Sequence, residues 1–301
     1  MKLSTLTTAP LAVILAIAAL VGAPALSAQT LEGAIDMHAH SAPDGTPRKI
    51  DAIDLARLAK SKGMRALVLK NHYEPTASLA TIVRKEVPGI EIFGGITMDR
   101  TNGGVNPAAV EWMTKVIGGY GKVVWMPTFD AEYQVTQSKE NRPFVRVSQN
   151  GKLVPEVVQV IAIIAKNNLV LETGHVSPAE VQMILEEGKR QGARNMLVTH
   201  ATGQYPGLSI PQLKEAAKLG AYLEFVWSGT QKGGLPRFAK AIRETGPEWC
   251  VIASDLGQPP NPLHTDGLME IYRGLKEQGF TVAEIDRMSK VNPAKLLGLG
   301  R

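Results

Sequence analysis

The feature that most constrains the fold is an alternation of short apolar runs with segments of helical periodicity along the whole chain. Continuous apolar runs of this kind are typical of strands buried on both faces of a parallel sheet. The predicted strands are Ala34–His38, Ala66–Leu69, Glu91–Met98, Val123–Pro127, Leu169–Thr173, Met196–His200, Tyr222–Val226 and Cys250–Ser254. Such strands, separated by helices in a chain of 301 residues, predict a single α/β domain, a (β/α)8 barrel of the TIM type. A doubly wound open sheet is the alternative, but its glycine-rich fingerprint is missing after the first strand.

The longest insertion follows the fourth predicted strand, from Ala131 to Leu153. Within it, Asn150-Gly151 is a hairpin turn signal flanked by the extended segments Phe144–Ser148 and Lys152–Val154. We expect a hairpin that overhangs the C-terminal mouth of the barrel and acts as a lid, because long loops of this kind are usually functional or mobile.

The N-terminal residues have the order of a secretory signal peptide: a positive charge at Lys2, an apolar run over Leu11–Val21, and small residues up to Ala28. The sequence therefore predicts a leader over residues 1–28, cleaved after Ala25 or Ala28, and a barrel over residues 29–301. The predicted location is periplasmic or secreted, and an uncleaved N-terminal anchor is the alternative.

Composition limits the partners. Without Lys2 of the leader, 32 basic residues stand against 28 acidic ones, and this small excess of +4 does not indicate nucleic-acid binding. No later segment is long and apolar enough to suggest a stable membrane span. A single cysteine, Cys250, excludes an internal disulfide. The expected partner is a small-molecule substrate, and a homo-oligomer is left open.

All six histidines lie near the C-terminal ends of the predicted strands, where barrel enzymes build their active sites. They are His38 and His40 at strand one, His72 after strand two, His175 after strand five, His200 at the end of strand six, and His264 in the loop after strand eight.

The pair His38-x-His40 is the most specific motif. Side chains two residues apart on a strand point to the same side, so both imidazoles can bind one ion, and neutral imidazoles suit zinc and related divalent metals. Asp255, at the end of strand eight, offers a carboxylate that can bind the metal and accept a proton from a metal-bound water.

These residues resemble the pattern of the amidohydrolase superfamily, and the chain is similar to a poorly characterised branch of it. The resemblance implies metal ligation by His38, His40 and His175, with Asp255 as both ligand and general base. It also implies that His200 binds a second metal or orients and protonates the substrate. The expected cofactor is one or two divalent ions, with zinc the first choice. In the implied hydrolase reaction, a metal-bound hydroxide attacks an amide, ester or lactone carbonyl.

One departure from the family pattern concerns the carbamylated lysine that two-metal members carry on strand four, because Val123–Asp130 contains no lysine. Lys70, with His72 two residues on, could complete a second metal site, bind an anionic group of the substrate, or form an ion pair at the barrel mouth. Glu224 and His264 are expected to orient a ligand histidine or line the substrate pocket.

Other functions are left open. A decarboxylase of the same superfamily would use one metal and this ligand set. The segment Asp36–Gly45 also resembles the opening motif of PHP-type phosphoesterases, although no histidine follows Asp255 two residues on. A non-catalytic periplasmic barrel that binds a metal or ligand is the remaining alternative.

Overall fold

The computed structural model describes residues 29–300, and the predicted leader lies outside the described residues. The barrel consists of a parallel eight-stranded sheet in which each strand pairs with the next along the chain. Its strands are β1 Ile35–His40, β2 Ala66–Lys70, β3 Glu91–Thr97, β4 Gly121–Trp125, β5 Val170–Glu172, β6 Asn195–Val198, β7 Tyr222–Val226 and β8 Cys250–Ala253.

The sheet closes between its first and last strands. The amide of Asp255 donates to the carbonyl of His38 at 2.9 Å, and the amide of His40 donates to the carbonyl of Leu256 at 3.0 Å. The predicted (β/α)8 barrel is thereby confirmed. Some predicted strand ends were wrong, because extended residues beyond a strand carry the same apolar pattern. The fourth strand, for instance, ends at Trp125 rather than at Pro127.

Helices follow the strands around the outside of the barrel. They are α1 Ala52–Ser61, α2 Ala77–Glu86, α3 Pro107–Thr114, α4 Glu132–Gln137, α5 Pro155–Lys166, α6 Pro178–Gln191, α7 Ile210–Lys218, α8 Leu235–Thr245, α9 His264–Glu277, α10 Val282–Asp286 and α11 Asn292–Leu297. A capping box begins α6, where the Ser177 hydroxyl accepts from the Glu180 amide and the Glu180 carboxylate accepts from the Ser177 amide. Three side chains of α11, those of Ala294, Leu296 and Leu297, belong to the apolar cluster inside the barrel.

A bulge in β1 decides which of its residues face the barrel interior. The pairing of β1 with β2 shifts register between Asp36 and Ala39. Met37 belongs to the interior apolar cluster, whereas Ala39 belongs to the layer between strands and helices. A bulge re-aims the following side chains, so His38 and His40 continue the inward face on which Met37 lies.

The predicted hairpin is confirmed. Ser148–Gln149 pairs antiparallel with Lys152–Leu153. Asn150 and Gly151 have φ values of 51° and 73°, as the favoured two-residue hairpin turn requires. The hydroxyl of Ser148 donates to Glu180 at 2.7 Å, so the hairpin packs against the first turn of α6.

Within residues 29–300, no helix combines the length and the apolar composition needed to cross a membrane.

Candidate metal centre

Three predicted site residues meet where β1 and β8 end. His38, His40 and Asp255 each offer one ligand atom, and these atoms all lie within 4.8 Å of one another. Asp255 Oδ1 is 3.1 Å from Nε2 of His38 and 3.3 Å from Nε2 of His40. Asp255 has a φ of 51°, a left-handed conformation directly after β8 that is uncommon outside glycine and is often found at functional sites.

Glu224 of β7 fixes the orientation of His38. Its Oε2 atom lies 3.1 Å from Nδ1 of His38 and accepts a hydrogen bond of 2.9 Å from the amide of His200. Glu224 is fully buried, and although burial raises its pKa, the neighbouring His38 outweighs this and lowers it. A carboxylate on Nδ1 leaves Nε2 of His38 facing Asp255, the arrangement that proteins use to orient metal-binding histidines.

Lys70 reaches the same Nε2 atom from β2. Its Nζ lies 2.8 Å from Nε2 of His38 and makes no ion pair with any described residue, so the predicted ion pair at the barrel mouth is wrong. Burial lowers the pKa of Lys70. Burial and Lys70 also lower the pKa of His38, but Asp255 and Glu224 outweigh them and raise it to about 10. A positive charge on either group disfavours a charge on the other at this separation, so His38 and Lys70 compete for protonation.

His40 is held through its backbone and its ring. His264, buried at the start of α9, donates from Nε2 to the carbonyl of His40 at 2.9 Å. His264 therefore supports a candidate ligand and is not among the residues that line the cavity described below. The ring of His40 stacks on His72, with 4.9 Å between ring centroids. Burial lowers the pKa of both His40 and His72 well below the usual value, which keeps these imidazoles neutral.

His72 is itself fixed on two sides. Its Nδ1 atom lies 2.8 Å from the hydroxyl of Thr128, which donates to the buried carboxylate of Asp99. Its ring stacks on Phe129 with a centroid separation of 3.7 Å. Sequence reasoning missed Thr128 and Phe129, because neither residue type marks a site by itself. Their position directly after β4 was the available signal.

His175 and His200 face each other. Their Nε2 atoms lie 3.0 Å apart, and Gln134 of α4 accepts from Nδ1 of His175. Burial lowers the pKa of both imidazoles. One of two neutral nitrogens at this distance carries a proton and the other a free lone pair. His175 does not join the group formed by His38, His40 and Asp255, although both histidines border the same cavity.

Below these residues, Glu172 of β5 lies within the barrel. Thr199 donates to its Oε2 at 3.0 Å, whereas its Oε1 has no hydrogen-bond partner among residues 29–300. Burial, and then the charge of Glu224, raise the pKa of Glu172 to about 8. Glu172 is therefore protonated at neutral pH.

A cavity of about 330 Å³ opens over this cluster. Six of the residues that line this cavity were predicted from the sequence as site residues: His40, Lys70, His72, His175, His200 and Asp255. Gln258 and Pro259 of the proline-rich loop Gln258–Leu263, which the sequence also offers as pocket lining, contribute as well, whereas Thr46, Pro47, Arg48 and Phe129 are lining residues that the sequence did not indicate. The hairpin does not contribute to the lining, but Gln134 of the same insertion accepts a hydrogen bond from His175, so the insertion contacts the site. The lid role stays a prediction. Two surface cavities of about 700 and 820 Å³ are larger but contain none of the clustered histidines, and the chemistry of the lining therefore identifies the smaller one as the candidate site.

The donor set fits a divalent metal ion. Two buried imidazoles and one partly buried carboxylate converge, and Glu224 holds the His38 ring while His264 holds the His40 backbone. These are ligand types that zinc accepts. The structure thus brings His38, His40 and Asp255 into one candidate ligand group, with His175 and His200 beside it. A second candidate group, formed by His38, Glu172 and Glu224, shares His38 with the first.

The solved structures similar to this chain include several enzymes. The organophosphorus hydrolase from Deinococcus radiodurans is 17% identical, with a TM-score of 0.59 over 91% of this chain and 97% of its own. An amidohydrolase from Pseudomonas aeruginosa is 13% identical, with a TM-score of 0.60 over 88% and 95% of the two chains. The 2,6-dihydroxybenzoate decarboxylase from Rhizobium is 12% identical, with a TM-score of 0.54 over 89% and 99%. At these identities the likeness establishes a shared fold.

No curated protein matches the sequence. The DUF6282 family, described as a family of unknown function, matches residues 33–224, which is more than half of the chain. The chain therefore belongs to the DUF6282 family.

Proposed function

We propose that this protein is a metal-dependent hydrolase that cleaves an amide, ester or lactone. The observation that carries the proposal is the convergence of His38, His40 and Asp255 on one point, with Glu224 holding His38 in the orientation that a ligand needs. The fold shared with an amidohydrolase and an organophosphorus hydrolase supports the same reaction class.

A divalent ion, which we propose to be a single zinc held by His38, His40 and Asp255 with His175 nearby, would lower the pKa of water and polarise the substrate carbonyl. Asp255 supplies the base. Although burial raises its pKa, the charge of His38 and hydrogen bonds from His38 and His40 lower it well below the usual value, so the carboxylate stays ionised. It can accept a proton from water and return it to the leaving group.

The remaining histidines position the substrate. His175 and His200 are neutral and border the cavity, and a substrate carbonyl can accept a hydrogen bond from this pair in place of the bond that joins their Nε2 atoms. His72 is fixed by Thr128 and Phe129 on another part of the lining. Side chains that are held in place before the substrate binds supply electrostatic preorganisation, a main source of catalytic power in such sites.

The test combines metal analysis with turnover. Purified protein is expected to bind about one zinc per chain and to hydrolyse at least one member of a panel of esters, lactones and amides. Asp255→Asn should abolish turnover, because the base is lost. The matched control is Asp54→Asn, which changes an exposed aspartate on α1 and should leave turnover unchanged. A wild-type protein without divalent metal would contradict the proposal, as would turnover restricted to phosphate esters.

We further propose that the protein is exported, since residues 1–28 have the order of a secretory leader. Mass spectrometry of the protein from the periplasm or medium would test this, and an intact N-terminus in a cytoplasmic fraction would contradict it.

A further inference from the structure

The loop after β1 turns alternate side chains inwards. In the segment 43–48, Pro43, Gly45 and Pro47 are exposed, whereas the side chains between them turn away from solvent. The side chain of Asp44 is 0% exposed and that of Arg48 is 4% exposed. The loop thus places a buried ion pair, Arg48 with Asp44, beside the candidate metal centre.

Arg48 is only partly satisfied by its neighbour. Its Nε donates to Asp44 Oδ2 at 2.6 Å, which fixes the plane of the guanidinium group. Its Nη2 is buried without a hydrogen-bond partner among the described residues. The hydroxyl of Thr46 and the second carboxylate oxygen of Asp44, Oδ1, are likewise buried without a partner among the described residues. Leaving such groups unpaired destabilises a folded protein, and each calls for a specific explanation.

Both residues line the 330 Å³ cavity that also contains His40, His72 and Asp255. The positive charge of Arg48 is close enough to lower the pKa of His40 and of His72, although burial is the larger cause for both. A ligand in this cavity can therefore contact the metal-binding cluster and Arg48 at the same time.

We propose that Arg48 and Thr46 bind a carboxylate group of the substrate, so that the substrate is a carbonyl compound carrying a second, anionic group. The guanidinium fork matches the two oxygens of a carboxylate. Two free donors, one from each residue, suit those two oxygens. Asp44 acts as a positioning residue that holds the fork in place. This inference rests on the proposed hydrolase function, because it assigns a substrate class to the same site.

The experiment measures binding of stable product-like probes to the zinc-loaded protein by titration calorimetry. The probes are succinate, glutarate and phthalate, each compared with its monoamide. At least one diacid is expected to bind about tenfold or more tightly than its monoamide, which corresponds to about 1.4 kcal/mol. No preference for any diacid would overturn the inference.

Two variants assign the preference to these residues. Arg48→Gln alone would leave Asp44 buried without its partner, so it is combined with Asp44→Asn, and Thr46→Val is the second, nearly isosteric variant. The double variant should lose the preference and Thr46→Val should reduce it, with zinc content unchanged. Arg57→Gln, which changes an exposed arginine on α1, is the control and should retain it. A preference that persists in the double variant would overturn the inference.

A third measurement separates this inference from the proposed function. Metal-free protein is titrated with benzoate and benzamide. If benzoate binds preferentially and only when Arg48 and Thr46 are present, while the zinc-loaded protein hydrolyses nothing, the anion site stands and the hydrolase proposal fails. If neutral esters are hydrolysed but no carboxylate is preferred in either form, the hydrolase proposal stands and the anion site fails.

Discussion

Replacing Glu224 with glutamine tests whether the metal centre depends on a buried carboxylate far from it in sequence. Glu224 accepts from His38 at 3.1 Å and from the amide of His200 at 2.9 Å, and it is fully buried. Glutamine has the same shape but lacks the charge. With its amide oxygen in the place of Oε2, its NH2 group stands where Oε1 was, 3.3 Å from the donor Nδ1 of His38.

The magnitude follows from the lost charge. A hydrogen bond to a charged group contributes about 1.5–3 kcal/mol. At about 1.4 kcal/mol per factor of ten, this predicts a zinc Kd that rises roughly ten- to hundredfold. Loss of the partner that orients a metal-binding histidine has an effect of about the same size.

The assay is a zinc competition titration with a chromophoric chelator at pH 7, together with thermal melting of the metal-free proteins. Glu172→Gln is the comparison variant, because Glu172 shares a candidate ligand group with His38 and Glu224 but is protonated at this pH, its pKa being raised to about 8. The amide then replaces a neutral acid, and zinc affinity should change less than about threefold, since no charge is lost. An unchanged Kd in Glu224→Gln, or equal losses in both variants, would refute the reasoning.

Three further predictions concern protons and packing. Because the pKa of His38 is raised to about 10, zinc must displace a proton there, and apparent affinity should rise by about tenfold per pH unit between pH 6 and 8; a flat profile in the same titration would contradict this. The pKa of Glu172 is raised from 4.5 to about 8 in the folded protein, so between these values the unfolded chain releases a proton that the folded protein retains. Folding stability therefore falls as pH rises through this range. Urea denaturation of the metal-free protein should therefore show Glu172→Gln gaining stability relative to wild type from pH 5 to 8, and a constant difference would exclude the shift. Phe129→Ala removes the ring stacked 3.7 Å from His72 and should raise KM on any substrate found while zinc content is unchanged; an unaltered KM would show that the stack does not position substrate.

Much of the architecture could be predicted because it is encoded by local periodicity. The strand β7, Tyr222–Val226, was predicted at both ends, and the hairpin turn at Asn150-Gly151 follows from the positive φ that only a few residue types adopt readily. Strand ends were less certain. His200 was placed at the end of a strand, but β6 stops at Val198, and His200 lies beyond it with a φ of 25°. Local pattern does not record where pairing with a neighbouring strand stops.

In the candidate site, too, local features could be predicted from the sequence, whereas contacts between distant segments could not. The spacing His38-x-His40 and the position of Asp255 after a strand are local features, and the closed barrel brings them together as expected. His264 was recognised as a site residue, yet its contact with the His40 backbone depends on how α9 packs against β1. Arg48 carries no sequence motif at all, and only the cavity shows its importance.

The sequence by itself thus determined the class of fold and the position of the histidines near the C-terminal strand ends. It also indicated His38, His40 and Asp255 as candidate metal ligands. Tertiary structure alone decided which groups contact them: Glu224 binds His38 across 186 residues of chain, and Lys70 contacts the same ring. The physical reason is that periodicity and turn chemistry act over a few residues. Hydrogen bonds inside a barrel, by contrast, depend on strand register, the β1 bulge and closure, which are fixed only when distant segments pack.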